Sequence, residues 1–136
     1  MTLRTPLCDL LGIDVPVLQA GMGMGARAEL AAAVSAAGGL GVIGAAGLTP
    51  DEIAAQIATV RTITDRPVGV DLLFPGDMVR GDALEGIKAF LAEAPPQAQE
   101  DLAELVNLAT PGWVEAQVDA ALTAGATVVV SGLGSP

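Results

Sequence analysis

Residues 15–44 read VPVLQAGMGMGARAELAAAVSAAGGLGVIG, and this stretch decides the fold class. The apolar run at 15–19 predicts a strand, the glycine-rich segment at 21–26 predicts a turn, and the Ala-rich stretch after it predicts a helix. The apolar run at 40–44 predicts a second strand. Strands that alternate with glycine turns and helices are typical of a parallel α/β sheet, so we expect an α/β fold.

The predicted first helix is expected to bury one face. Apolar residues recur there at spacings of three and four, which places on one side of the helix Leu30, Ala33, Val34 and Ala37. The pair Gly38-Gly39 is expected to end the helix, since glycine readily adopts the left-handed conformation that terminates helices.

The same unit recurs downstream. Residues 49–52, Thr-Pro-Asp-Glu, predict a helix start with a capping Thr, Pro at the first helical position and Glu two residues later. The stripe predicted to be buried on this helix comprises Ile53, Ile57, Val60 and Ile63. Residues 68–73 then predict a third strand, and residues 126–131 a fourth.

The connection between the third and fourth strands is longer than the others. Residues 74–110 contain two polar helical patterns, near 83–92 and 97–108, broken by glycines and by Pro95-Pro96, so we interpret this region as a helical insertion. A further helix is expected to start at Thr110-Pro111 and to end at Gly125. Its predicted face comprises Val114, Val118, Ala121 and Leu122.

Four such units are compatible with two architectures. A small doubly wound sheet could be complete at 136 residues. An eight-stranded (β/α)₈ TIM barrel needs about 250 residues, so residues 1–136 would be the N-terminal part of one barrel domain and would leave two sheet edges unpaired. The choice between a partial barrel and a doubly wound sheet decides the function.

Composition excludes several functions. The chain has 16 acidic and 6 basic residues, a net charge of −10, and no basic cluster, so we expect it to bind no nucleic acid and no anionic membrane surface. It contains no His, which removes the commonest metal ligand and the usual neutral-pH base. We predict no metal site.

The compartment is expected to be the cytoplasm. A single cysteine, Cys8, is typical of a reducing environment, and we expect it to pack as a small apolar side chain. The N-terminus lacks the apolar core of a signal peptide. Residues 30–50 carry no charge, but their glycines favour a helix end, a strand and a loop over a membrane-spanning helix.

The glycine-rich turn is the first candidate ligand site. Residues 21–26 match G-x-G-x-x-A, a pattern in which backbone N–H groups and a helix N-terminus face a phosphate. The acid or Arg that would contact a ribose about 20 residues later is missing from 44–47. A dinucleotide or phosphate-binding module and a ligand-free turn therefore both stay open, and Met22 and Met24 could simply fill core gaps.

A wider set of residues resembles a known family. Residues 11–22 (LGIDVPVLQAGM), 30–43 (LAAAVSAAGGLGVI), 64–72 (TDRPVGVDL) and 128–136 (VVVSGLGSP) look like the opening of the nitronate monooxygenase family. The resemblance spans nearly the whole chain and is weakest at 74–110. That family is similar to flavin-dependent enoyl-acyl-carrier-protein reductases, so the related reductase chemistry also stays open.

The resemblance implies an FMN-dependent barrel that oxidises alkyl nitronates with O₂. It implies that the backbone at 20–22 lies against the flavin and that Met22, Ala45, Asp71 and Ser131 gather at one mouth. The residues it assigns to the flavin are Ala20, Met22, Gly23 and Asp71.

Asp71 departs from the family pattern, in which Asn is common. An ionised Asp can accept a hydrogen bond from the flavin N3–H, but it would repel the negative charge of reduced FMN. An Asp that merely caps loop amides is the alternative interpretation.

The resemblance implies a catalytic His after a later strand and FMN phosphate loops later still. This chain contains no His and none of those loops, so no residue here is assigned to catalysis, and this segment alone is expected to bind FMN weakly or not at all. An excerpt of a longer enzyme, a truncated product and a His-independent relative stay open as explanations. A non-catalytic remnant would be expected to self-associate through its open sheet edges.

Overall fold

A computed structural model describes residues 3–74, 85, 86, 89, 92, 93, 95 and 112–132. Its helices and strands, in chain order, are α1 (Pro6–Leu11), a 3₁₀ turn (Gly23–Gly25), α2 (Ala28–Ala36), β1 (Gly41–Gly44), α3 (Pro50–Arg61), β2 (Val68–Leu73), α4 (Trp113–Thr123) and β3 (Val128–Gly132). The expected α/β architecture is confirmed.

The three strands form one parallel sheet in the order β1-β2-β3. A single parallel bridge from Leu18 to Leu40 places the preceding segment on the free side of β1. Spatial order therefore follows chain order throughout the described strands. A doubly wound sheet reverses its strand order partway, and the described part of the chain contains no such reversal.

The predicted first strand at 15–19 is wrong as a regular strand, because only the bridge at Leu18 forms. Pro16 has no N–H with which to continue a ladder. The side chain of Gln19 takes over the next position: its Oε1 accepts from the Val42 N–H at 3.2 Å and its Nε2 donates to the Val42 carbonyl at 2.8 Å. A side-chain amide therefore completes the pairing that the backbone leaves unfinished.

Helix α2 faces the sheet with a different side from the one predicted. Leu30 is 39% exposed, Ala33 and Ala37 are also exposed and Val34 is half-buried, whereas the buried residues are Ala28, Ala31, Ala32 and Ser35. The reason is close backbone packing: a Cβ on Gly41 would stand 1.9 Å from the Ala31 carbonyl oxygen. Only small side chains fit on this face.

Helix α3 begins as predicted, with the complete capping box between Thr49 and Glu52. Ile53, Ile57 and Val60 are fully buried, as expected. Ile63 is 53% exposed, so its predicted burial is wrong. The helix ends at Arg61, and helical periodicity cannot predict which side chains are buried beyond that residue.

Helix α4 packs against α3 and β2. Ala121 is buried as predicted, Val114 and Val118 are half-buried, and Leu122 is 52% exposed, so its predicted burial is wrong. The polar Gln117 takes the buried position instead. The strand after α4 starts two residues later than predicted, at Val128.

Most of the expected insertion at 74–110 lies outside the described residues. Of those described there, the residues in helical conformation are Glu85, Gly86, Ala89, Ala92 and Glu93, and all five are exposed. Cys8 is fully buried, as expected. Among the described helices, none has both the length and the apolar composition needed to cross a membrane.

Candidate functional site at the strand tips

The candidate site lies where the parallel strands end. The strand register aligns Gly44 of β1 with Asp71 of β2, and Asp71 with Val130 of β3. In sheets of this kind the carboxyl ends of the strands are where ligands bind. We call the tip site the set formed by Gly21, Met22, Gly23, Gly44 and Asp71.

The glycine-rich loop lies directly on Asp71. An ideal Cβ on Gly21 would stand 2.4 Å from both the Cβ and the Oδ2 of Asp71, and 2.8 Å from its Cγ. No side chain larger than hydrogen fits there without displacing the carboxylate. The contact therefore brings together the two segments that the sequence singled out separately.

Gly44 supports the same loop from β1. A Cβ at Gly44 would stand 2.6 Å from the backbone nitrogen of Gly23 and 3.0 Å from that of Met22. The Gly44 N–H donates to the Ala26 carbonyl at 2.9 Å, and the Arg27 guanidinium donates to the Gly44 carbonyl. Gly23 itself has φ +47°, a left-handed conformation that favours glycine.

Asp71 is the polar centre of the site. Its Oδ1 is buried and has no hydrogen-bond partner among the described residues, so the interpretation of Asp71 as a cap for loop amides is not supported at that atom. Desolvation by burial raises the pKa of the Asp71 carboxyl. A buried acceptor without a donor is costly, and ionisable groups with a shifted pKa are common at functional sites.

The four residues assigned to a ligand therefore fall in one place. Ala20 and Gly23 are exposed, Met22 is 52% exposed, and Asp71 is half-buried. The alternative of core filling is wrong for both methionines, since Met24 is 87% exposed.

The other two residues expected at the mouth differ from each other. Ser131 is exposed at the end of β3 and pairs in register with Leu72. Ala45 follows the tip of β1 as expected, but its side chain is fully buried in the core. Its backbone still adjoins the site, because the Ala45 N–H donates to the Asp71 carbonyl at 2.9 Å.

Sequence reasoning missed Gln117. Its side chain is fully buried, and Nε2 lies 3.3, 3.2 and 2.7 Å from the carbonyl oxygens of Ala45, Ala46 and Leu48. It therefore holds the loop that follows β1, next to Asp71. The sequence does contain an indication of this role. Gln117 lies one helical turn before Ala121, on the predicted core-facing side of the helix, where an amide side chain is unusual.

Comparison with known proteins identifies the family of the chain. The sequence model of the family described as nitronate monooxygenase matches residues 4–136. The chain is 47% identical, over 71% of its length and 29% of the relative's, to the (3aS,4S,5R,7aS)-5-hydroxy-7a-methyl-1-oxo-octahydro-1H-indene-4-carboxyl-CoA dehydrogenase of Mycobacterium tuberculosis. It is 42% identical, over 57% of its length and 22% of the relative's, to a probable nitronate monooxygenase of Staphylococcus saprophyticus.

A solved structure shows the same fold. The nitroalkane oxidase from Streptomyces ansochromogenes superposes with a TM-score of 0.62 at 28% identity, over 97% of this chain and 37% of that one. The chain thus spans 22–37% of the length of these three proteins. On the family match over nearly all its residues, the chain belongs to the nitronate monooxygenase family.

Proposed function

We propose that this chain forms the first βα units of a partial (β/α)₈ TIM barrel that binds FMN and oxidises alkyl nitronates with O₂. Two observations support the barrel. The described strands are parallel and follow chain order, which is how strands are arranged in a (β/α)₈ barrel. The family match and the likeness to nitroalkane oxidase point in the same direction.

The observation that carries the cofactor assignment is the buried Oδ1 of Asp71, which accepts no hydrogen bond in the described structure. An acceptor in this state fits a ligand that presents an N–H, as the pyrimidine edge of a flavin does. Gly23 borders open space, since an ideal Cβ there would meet no described atom within 4 Å, so this part of the loop leaves room for a flat ring. The residues present therefore fit the cofactor.

Each residue of the tip site has a proposed role. The backbone from Ala20 to Gly23 would lie against the ring, Asp71 would accept from the flavin N3–H, and Met22 would cover the ring with apolar surface. When bound, FMN supplies the group that takes electrons from the substrate, and the protein orients it and tunes its electrostatics. We do not assign to any residue of this chain the removal of a proton from a carbon atom of the substrate.

Titration of the full chain with FMN tests the cofactor assignment. We expect saturable quenching of flavin fluorescence below about 1 mM FMN. Asp71→Ala should weaken binding about 10-fold or more, because a hydrogen bond to a charged group contributes about 1.5–3 kcal/mol. Asp65→Ala is the matched control, since Asp65 is exposed before the opposite end of β2. Absence of saturation, or saturable NAD binding in its place, contradicts the proposal.

A dehydrogenase acting on an apolar CoA thioester is the second candidate. It is favoured by the 47% identity to the M. tuberculosis carboxyl-CoA dehydrogenase and by the exposed Met22 and Met24 beside the tip site. Enoyl-thioester reduction is a related possibility. O₂ consumption with an alkyl nitronate supports the first candidate, whereas turnover of a CoA thioester with an artificial electron acceptor supports the second.

Self-association and location are further proposals. Among the described strands, β3 lies at one end of the order β1-β2-β3, and the end strand of a sheet can pair with a strand of another molecule. We expect a dimer or larger species by light scattering, and a monodisperse monomer would contradict this. The reducing compartment expected from the single cysteine is the cytoplasm, which fractionation of the native host would test.

A further inference from the structure

Resting on the proposed function, we infer that Asp71 takes up a proton when the bound flavin is reduced, so that the carboxylate neutralises itself beside the new negative charge. This assigns to Asp71 a role in tuning the potential of the cofactor, in addition to holding it.

The inference starts from the surroundings of the carboxylate. Oδ1 is buried and has no donor among the residues that the structure describes, and the backbone of Gly21 is packed against Oδ2 and Cγ. In the part of the chain that the structure describes, no donor is therefore positioned to stabilise a charge at Oδ1. The raised pKa of Asp71, which desolvation causes, agrees with that geometry.

Among the described residues, no charged side chain compensates Asp71 from the elements packed around it. Strands β1 and β3 contain no ionisable residue in their described ranges, and neither does the loop at 20–26. Helices α2 and α4 contact β2, but their acids are exposed, namely Glu29, Glu115 and Asp119. Arg27 follows the loop, and its guanidinium donates to the Gly44 carbonyl instead.

A second negative charge next to this carboxylate would raise its pKa further, because like charges disfavour ionisation of one another. With an ionised Asp71, two electrons and one proton convert the bound flavin to its anionic reduced form. Asp71 then takes one more proton from solvent, and its carboxylate becomes a carboxylic acid. Two electrons and two protons are consumed in total, and the electrons come from the substrate or from an added reductant.

The neutral acid can also donate, which an ionised Asp cannot. Protonated Asp71 would therefore offer an O–H to the reduced ring, whereas the ionised form offers only an acceptor to the N3–H. An Asn carries a donor and an acceptor permanently and exchanges no proton. The proton uptake is thus a property that Asp confers and Asn does not.

The test is a reductive titration of the FMN-loaded full chain with dithionite and a reference dye, from about pH 5 to about pH 9. Wild type, Asp71→Asn and the control Asp65→Asn are compared. We expect a pH interval in which the midpoint potentials of wild type and control fall more steeply with rising pH than that of Asp71→Asn. One extra proton taken up per two electrons changes the equilibrium constant for reduction tenfold per pH unit, which steepens the slope of the midpoint potential by about 30 mV per pH unit.

Equal slopes for wild type and Asp71→Asn across the whole range overturn the inference while leaving the proposed function intact. Failure of all three proteins to bind FMN overturns both. Asp71→Glu tests whether a change of packing, and not loss of the titratable group, alters the slope. Because it retains a carboxyl at this position, it should preserve the steep slope. Loss of the steep slope in Asp71→Glu would overturn the inference.

Discussion

The side-chain amide of Gln117 lies 2.7 Å from the carbonyl oxygen of Leu48, so the last described helix holds the loop that leaves the first strand. The same nitrogen also reaches the carbonyls of Ala45 and Ala46. Because the Ala45 N–H donates to the Asp71 carbonyl, Gln117 and the tip site share one loop.

Replacing Gln117 by Ala should lower the free energy of unfolding by about 2–4 kcal/mol, since it leaves buried carbonyls without a donor and opens a cavity. Urea denaturation measures the change. Glu115→Ala on the exposed face of the same helix is the control and should change stability by less than about 0.5 kcal/mol. Equal effects of the two substitutions would contradict the role of Gln117.

Gly21→Ala should weaken FMN binding and destabilise the chain by about 1–3 kcal/mol, because the added Cβ overlaps the Asp71 side chain. Gly25→Ala is the matched control in the same loop, since the nearest atom to its Cβ, on Met22, is 3.9 Å away. Fluorescence titration and thermal unfolding check both variants. A Gly21→Ala protein that binds FMN as tightly as Gly25→Ala would show that the close contact has no functional consequence.

Asp71→Asn should stabilise the free chain near neutral pH. A carboxyl whose folded pKa is raised contributes stability that is complete below its unfolded pKa and is lost as pH rises through the folded pKa. The amide cannot ionise, so the variant keeps that stability, and its advantage in Tm should grow from acid to neutral pH. An advantage that is constant with pH would argue against burial as the cause.

Glu52→Gln should show the opposite pH dependence. Hydrogen bonds from the Thr49 backbone and side chain lower the pKa of Glu52. Its contribution is therefore present above the unfolded pKa and is lost as pH falls through the folded pKa. The Tm difference between wild type and Glu52→Gln should shrink on acidification. A difference that widens in acid would mean that the capping box is not the source of the shift.

Arg61→Ala should cost about 1–3 kcal/mol of stability, because the Arg61 guanidinium donates to the carbonyls of Arg66 and Gly125, both at 2.8 Å. These bonds join α3 to the segments before β2 and β3. Arg4→Ala removes an ion pair with Asp9 whose side chains are 51% and 70% exposed, and it should cost less stability than Arg61→Ala, because solvent screens an exposed pair. Chemical denaturation ranks the two, and a reversed order would contradict this account.

Local rules explain what the sequence could predict. The start of α3 follows from four adjacent residues whose capping bonds form within one turn, and Ile53, Ile57 and Val60 are both the large and the buried residues of that helix. The buried face of α2 could not be predicted from such local rules. Its buried side consists of small residues because Gly41 lets the two backbones touch, and that contact joins residues ten positions apart.

The site shows the same division between local and distant information. The glycine loop and Asp71 were each identifiable from their immediate neighbours, as a turn motif and as an acid within an apolar strand. Their contact, and the support from Gly44 and Gln117, depend on strand register and on packing between distant segments. These relationships come from three-dimensional packing, which periodicity does not encode.

The amide of Gln19 has a consequence for how the loop leaves the sheet. The Gln19 side chain satisfies both the N–H and the carbonyl of Val42, so the main chain from Ala20 onward does not need to pair with β1. It can bend across the ends of the neighbouring strands and reach Asp71 two strands away. The Gln19 side chain thus replaces a stretch of backbone pairing with β1, and the shape of the tip site depends on that replacement.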